Sequence, residues 1–406
     1  MSALVDRVLL VVVGLLSLVA LGGVALLWPS GSRLGAEREQ GGARLVDAVL
    51  VEVVEIPTGD QSVLLPGSKD VLITARVQDT GEVVTFDMTD ETGATFASGQ
   101  PVRLAVTETP GQPTLYYVSD FRRDGSMAVL LGLFLCAVVA MGRLQGLRAL
   151  LGLALSFAVI IGFMIPAILS GRSPVAVALV GSLLIMVTTL YLSHGWSVKT
   201  TAAVVGTAAA LLLTAGLAAL FVSTAHITGF ASEDARLANV SVGGLSLRGL
   251  LLAGVIIGGL GVLDDVTMSQ ASTVFALRRA NRDTGFGELV REALSVGRDH
   301  IAATVNTLFL AYAGASLPLL LLFSTGADSA RVIVTSETVA VEIVRALVGS
   351  IGLIGAVPLT TVMAAAVARA EHPQPHAEAF HRSPVRPPSV PAEEWEDRLR
   401  DAYGLG

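Results

Sequence analysis

The sequence predicts an α-helical polytopic membrane protein of about eight transmembrane helices, with a small extracytoplasmic all-β barrel of the OB or SH3-like kind between the first and second helices. Three observations carry that prediction. Of 406 residues, 52% are hydrophobic and only 15% charged, and the mean hydropathy is +0.69, so the chain lacks the charged surface that a soluble protein of this length needs. Apolar runs long enough to cross a hydrocarbon core of about 30 Å recur along it. One stretch, 43–123, breaks the pattern with charges, turn residues and β-branched alternation. The net charge of −7 leaves no basic footprint for nucleic acid. The single cysteine, Cys136, excludes an intrachain disulfide framework and a cysteine-based zinc site.

Residues 1–30 read as an N-terminal transmembrane anchor. The run from Val8 to Trp28 is apolar for roughly 20 residues and ends in Leu27-Trp28-Pro29, which suits a membrane interface rather than a cleavage site. Residues 43–123 read as the β domain. Five short runs, 48–54, 71–77, 82–88, 102–106 and 114–118, are separated by turn chemistry at Asp79-Thr80-Gly81, Ser98-Gly99 and Pro110-Gly111. A barrel built from them serves equally as a rigid spacer or as a docking module.

Residues 127–370 read as a seven-helix transmembrane domain, with spans at 127–141, 149–170, 174–193, 200–223, 249–271, 302–323 and 346–368. Basic residues set the orientation, because Lys and Arg are retained in cytoplasmic loops. Arg143, Arg148, Lys199, Arg278, Arg279, Arg282, Arg291 and Arg298 fall on one side, and Arg172, Arg236, Arg248, Arg331 and Arg345 on the other. Both termini are thereby predicted cytoplasmic, in the plasma membrane, with the β domain outside. Residues 371–406 form a Pro-rich cytoplasmic tail expected to be largely disordered, with a short helix at 392–400 that forms on binding a partner. Its His372, His376 and His381 lack a carboxylate or thiolate companion and are read as solvated rather than metal-binding.

The most informative segment runs from Gly254 to Thr273. Entering near Gly249, a helix carries Asp264 and Asp265 roughly 22 Å along its path, past the membrane midplane. Two ionised aspartates at that depth cost about 5–7 kcal/mol on the insertion scale, so they are expected to face protein, water or an ion. Gly254, Gly258, Gly261, Asp265, Ser269 and Ser272 share one helical face, its upper part small enough for another helix to approach closely. Adjacent carboxylates repel and favour proton exchange near neutral pH, which is what a relay needs. The bland alternative places both acids at the cytoplasmic interface, paired with the loop containing Arg278 or Arg298. Thr267, Ser269, Ser272, Asn306, Thr307, Tyr312, Thr360 and Thr361 are candidate supporting polar residues. Pro318 and Pro358 can free backbone carbonyls in their helices. The loop from His194 to Thr200, with its Trp196 and Lys199, reads as an interfacial anchor.

Several segments resemble the YibE/F-like family of bacterial membrane proteins. They are Gly261-Val-Leu-Asp264-Asp265-Val-Thr267-Met-Ser269, Gly297-Arg298-Asp299, Asn306-Thr307-Leu308, 311–318, His194-Gly195 with Lys199-Thr200, and 349–352 with 358–361. The resemblance covers roughly 132–370 and implies a multi-pass membrane protein without assigning an activity. Members often carry one acid in the sixth-span motif; of the two here, Asp265 is the chosen match. A local similarity to the acidic hairpin of resistance-nodulation-division permeases and related protein-export accessory subunits implies proton relay by such a pair. Here, however, the acidic helix is the fifth span after the outer domain rather than the third.

Two functions follow from the residues. One is a proton- or ion-coupled transporter of an unidentified solute, with Asp264 and Asp265 as the site. The other is a non-catalytic interaction or assembly protein whose β domain and tail bind partners. An intramembrane aspartyl protease needs facing aspartates on separate helices, and neighbours on one helix point about 100° apart. No nucleotide fingerprint, cofactor motif or metal-ligand constellation is present, so no enzyme, cofactor or metal is expected.

Overall fold

The computed structural model describes residues 2–29, 44–56, 69–90, 96–108, 111–231, 233–325 and 330–370. The readings of the Pro-rich tail, its three histidines and its short helix lie outside these residues, as does Pro110 of the last β turn. The chain begins with α1 (Ser2–Leu27), an almost purely apolar helix.

Five strands follow: β1 (Arg44–Ile56), β2 (Lys69–Val77), β3 (Val83–Asp90), β4 (Pro101–Thr107) and β5 (Leu115–Phe121). They form one antiparallel sheet in the order β3-β2-β1-β4-β5. Its long central strand pairs with β4 through its first half and with β2 through most of its length, and a bulge between Leu50 and Glu52 bends it. Bulges add twist, and here the sheet curls until β3 and β5 approach one another, with Phe86 stacked on Tyr116 at 6.3 Å. Alternation places Leu50, Ile73, Ala75, Val102 and Leu104 in a closed apolar core. Ile73 is fully buried, so Ile73→Ala is expected to cost about 2–5 kcal/mol locally. Hydrogen exchange should show faster exchange in β1 and β2 with the membrane helices unchanged.

Arg122 joins the sheet to the next helix. Its guanidinium reaches Asp47 at 3.2 Å, Gln78 at 3.0 Å and Asp124 at 2.8 Å, so one side chain ties two strands to a helix start. Nearby, a hydrogen bond from Arg123 holds the exposed Asp120 carboxyl below its ordinary value.

The helical part continues with α2 (Asp124–Val159), a wide π-helical turn at Ile160–Met164 and α3 (Ile165–Leu169). Pro166 has no N–H for the regular ladder, which accounts for the widened turn before it. Then come α4 (Pro174–His194), α5 (Val198–Thr224), α6 (Glu233–Val242), α7 (Leu247–Ala280), α8 (Phe286–Ala315), α9 (Leu317–Thr325), α10 (Ala330–Thr335) and α11 (Glu337–Ala370). Ser197 and Ser246 start α5 and α7 by accepting the backbone N–H of Thr200 and Gly249. Gly195, at φ +77°, ends α4 in a conformation suited to glycine.

Six helices among the described residues are long and apolar enough to cross a membrane: Val8–Leu27, Asp124–Leu169, Pro174–His194, Val198–Thr224, Leu247–Ala280 and Glu337–Arg369. The count of about eight read from hydropathy differs in two places. The runs 127–141 and 149–170 belong to one helical stretch, yet Arg143 within it has φ 49° and ψ −128°. Gly146 there abuts the backbone carbonyl of Val138, eight residues back, which a straight helix would hold about 12 Å away. The chain therefore doubles back at Arg143. The run 302–323 is divided at Ser316 between α8 and α9, and the first half of α8 carries Glu288, Arg291, Glu292, Arg298 and Asp299.

The bundle is built around α5, α7 and α11, which pack closely on one another, with α4 against α7 and α1 against α4. Gly206 of α5 lies against Thr360, and Gly352 of α11 against Thr214. Helix directions follow from such contacts. Pro174 abuts Gly249 at one end, while Ser193 meets Ser269 in a common cavity at the other, so α4 and α7 run parallel. Gly352 and Gly259 both face Thr214, and Thr361 meets Gln270, so α11 runs with them. Helix α1 runs opposite, its Gly23 on Val180 and the following Trp28 stacked on Phe163. Helix α8 ascends α11 in the reverse sense, from Gly297 at Val357 to Leu308 at Gly349.

Candidate functional site

A cavity of about 540 Å³ lies between α4 and α7. Thr189, Leu190, Ser193 and His194 line it from α4, and Gly261, Asp264, Asp265, Met268, Ser269 and Ser272 from α7. The α7 residues recur every three or four positions because an uninterrupted helix turns them to one side. On α4, Thr189 and Ser193 are one turn apart and so share a side of the helix.

The two aspartates differ in setting. Asp265 is exposed at the cavity wall, whereas Asp264 is half-buried, and its Oδ1 is buried with no hydrogen-bond partner among the described residues. Thr189 of α4 lies within side-chain hydrogen-bonding reach of its carboxyl across the cavity. Neither acid forms a salt bridge among the described residues. The bland alternative drew its partner from the loop after α7, but Arg278 there turns instead to the backbone carbonyls of Arg282 and Thr284.

The depth of the pair along the bundle follows from the helix beside it. Helix α4 has 21 residues, about 31 Å, just enough to cross the core, and the acids lie beside its last turns. The pair therefore sits toward one face of the bundle, where hydration of a carboxylate costs less to retain. The close approach expected at the glycine face is also absent: a Cβ at Gly254, Gly258 or Gly261 would meet nothing within 4 Å. Toward the other end of α7, Gly254 lines a second cavity of about 400 Å³, with Leu247, Leu250 and Leu251 and, from α11, the half-buried ion pair Glu342–Arg345 at 2.8 Å. Beside it Glu337 accepts the backbone N–H groups of Thr228 and Gly229 at 2.9 and 2.7 Å, fixing the start of α11 to the end of α5.

The remaining candidates scatter. Ser269 and Ser272 share the cavity with the acids. Thr267 faces away, fully buried, its hydroxyl 2.5 Å from that of Thr207 on α5 and 3.3 Å from the Asp264 carbonyl. Thr361 accepts from Gln270 at 2.6 Å inside the α7–α11 contact, and Thr360 is buried against Gly206 without a hydrogen-bond partner among the described residues. Asn306 and Thr307 are exposed on α8. Tyr312 is half-buried within electrostatic reach of Arg345 and Glu342 at the other end.

Reading the sequence alone missed Thr189, Ser193 and His194 as site residues, and Gln270 as a junction. Gln270 donates to Ala293 O at 2.9 Å as well as to Thr361, where α8 lays Leu289, Ala293 and Gly297 onto the bundle. Gln270→Ala is expected to remove about 1–3 kcal/mol from that attachment. Hydrogen exchange across 286–300 should accelerate while α5 stays protected.

A bundle of long apolar helices with a polar cavity between them defines an integral membrane protein. The family model described as YibE/F-like protein matches residues 130–370, more than half of the chain, and the chain belongs to that family. No curated protein and no solved structure matches it.

Proposed function

We propose that this protein is a proton-coupled transporter, not an enzyme, and that the Asp264–Asp265 cavity is its coupling site. The observation that carries the reading is the buried Oδ1 of Asp264, without a hydrogen-bond partner among the described residues, in a polar cavity inside a membrane bundle. A carboxylate there without a basic partner is costly to keep as a structural element. It must hold a proton or receive a compensating cation, and exchanging the two states is the elementary step of coupling. The bare face of α7 supports the reading too, because Gly254 and Gly261 belong to cavities at its two ends with only Gly258 between them on that face.

The topology we propose has eight crossings. The doubling at Arg143 makes Asp124–Leu169 a hairpin of two, and α8 with α9 supplies one more alongside α11. The antiparallel course of α1 relative to α11 supports termini on the same side, and the basic loops make that side cytoplasmic. Reporter tags at the two ends of the full chain are expected on the same face in spheroplasts. Tags on opposite faces would sink this topology. The strand order, with β3 meeting β5, supports an OB barrel on the outer side.

A second reading, partner docking, is favoured by the adjacent exposed pair Val54 and Leu72 on the outer face of the sheet.

The test uses the full chain in liposomes with a trapped pH dye, an imposed pH gradient and fractions of a cell extract as the solute source. Wild-type protein is expected to admit protons when one fraction is present, and the double variant D264N/D265N to behave as empty liposomes. Equal proton entry with wild type and double variant would overturn the transporter reading and leave docking in its place.

A further inference from the structure

His194 is the residue whose position the sequence alone could not explain. It ends α4, is exposed, and lines the same cavity as Asp264 and Asp265 from the opposite wall. The backbone that carries it is held from several directions. Tyr191, one turn before, stacks on Trp196 at 4.3 Å and shares a hydrogen bond with Thr201 at 2.9 Å. Ser197 caps α5 through Thr200 at 3.1 Å, and Thr201 donates to the Ser197 carbonyl at 3.0 Å. These contacts make the loop a fixed bracket that sets an imidazole beside an acidic cavity.

The charged groups that act on His194 are Asp265 of α7 and Lys199 at the start of α5, and Asp264 lies deeper on the same wall as Asp265. The burial order is instructive. Asp264 is half-buried with its Oδ1 out of contact with solvent, whereas Asp265 and His194 are both exposed. A buried carboxylate exchanges protons with water only through groups that bridge the two environments, and imidazole is the side chain whose ordinary titration lies near neutrality. No cluster of three or more histidine, cysteine or acidic side chains suited to a metal ion occurs among the described residues. Helix α7 is continuous across the site, so its carbonyls are engaged in the helix rather than free to replace the hydration of a sodium ion.

We infer that His194 is the third titrating member of the site and passes protons between water and the Asp264–Asp265 pair, so that the coupling ion is the proton. The inference rests on the proton-coupling reading of the same cavity. In the transfer an imidazolium N–H bond breaks and a carboxyl O–H bond forms at the aspartate pair. The neutral imidazole then regains its proton from water, and the reverse sequence unloads the site.

The test needs no transported solute. Dicyclohexylcarbodiimide attacks a protonated carboxyl in an apolar setting, and the adduct at Asp264 is read by peptide mass spectrometry on the full chain in lipid nanodiscs. Labelling is followed at pH 6 and below, because a protonated imidazole across the cavity favours the ionised acids. His194→Gln is expected to label at Asp264 roughly threefold to tenfold faster than wild type, and His194→Lys, which keeps a positive charge, no faster than wild type. His194 is exposed, so neither substitution opens a core, and monodispersity on size exclusion checks this. Superimposable rates in wild type and H194Q overturn the inference. Equal acceleration in H194Q and H194K overturns it as well, because the ring would then act only as a cover. Absence of an Asp264 adduct in every protein also overturns it. The transport reading fails separately: a normal response of labelling to His194 with proton entry unaffected by D264N/D265N would leave the titrating triad intact and remove its coupling role.

Discussion

Asp264→Asn is expected to reduce solute-dependent proton entry to the level of empty liposomes while leaving insertion, expression and the melting profile unchanged. The substitution keeps shape and volume and removes only the ability to gain and lose a proton. Folding should tolerate it, because the Oδ1 it replaces accepts no hydrogen bond and pairs with no cation among the described residues. Asn also ends the demand to hydrate a charge at this position, so stability is expected to stay the same or rise slightly. Asp265→Asn should be milder. That side chain is exposed, and its loss leaves Asp264 in the same pocket with a less acidic neighbour. A pronounced defect in D265N with near-normal flux in D264N would reverse the assignment and restore Asp265, the residue favoured by family resemblance. Proton entry measured with the trapped dye, in single variants reconstituted at matched density, separates the outcomes.

This ordering of the two acids illustrates what a sequence can and cannot convey. That Asp265, Ser269 and Ser272 share a face was legible, because 3.6-residue periodicity is a property of one helix. Which carboxylate lies deeper depends on the neighbouring helix, and α4 is some 70 residues away in the chain. His194 and Thr189 leave no local trace of their proximity to α7. Asn306 and Thr307 show the converse error: polar residues in an apolar run suggested a site, but the rotation of α8 is set by Leu289, Ala293 and Gly297 and turns both outward. The β domain was legible in its strands because alternation and turn chemistry are local, whereas the approach of β3 to β5 depends on the bulge and curl of the sheet. Hydropathy registers apolar length, but the reversal at Arg143 is a backbone event in a residue type that ordinarily avoids positive φ.

The bundle itself makes the second large prediction, because its glycines divide by what surrounds them. At Gly206 a Cβ would collide with the Thr360 hydroxyl, and at Gly352 with that of Thr214. Both threonines are fully buried or nearly so, and Thr214 is held by its bond to the Ala210 carbonyl at 2.8 Å, so neither can swing away without disturbing the contact between α5 and α11. Gly206→Val and Gly352→Val are therefore expected to cost about 1–3 kcal/mol or more through overpacking, set against the small gain of replacing a helical glycine. Gly258, on the bare face of α7, has nothing within 4 Å of its Cβ position. There Gly258→Ala is expected to be neutral or to stabilise by up to about 1 kcal/mol, since only helix propensity changes. Size exclusion after graded heating in detergent reads the contrast directly: early loss of the monodisperse peak for the first two variants, none for the third. If G206V and G352V melt with wild type, α5 and α11 are not packed glycine to threonine. The same comparison bears on function, because a bulkier Gly258→Leu leaves the trio of core helices untouched and obstructs only the strip between the two cavities. Lost proton entry in a normally melting G258L would make that strip part of the solute path, while unaltered entry would confine the path to the cavity at the aspartates.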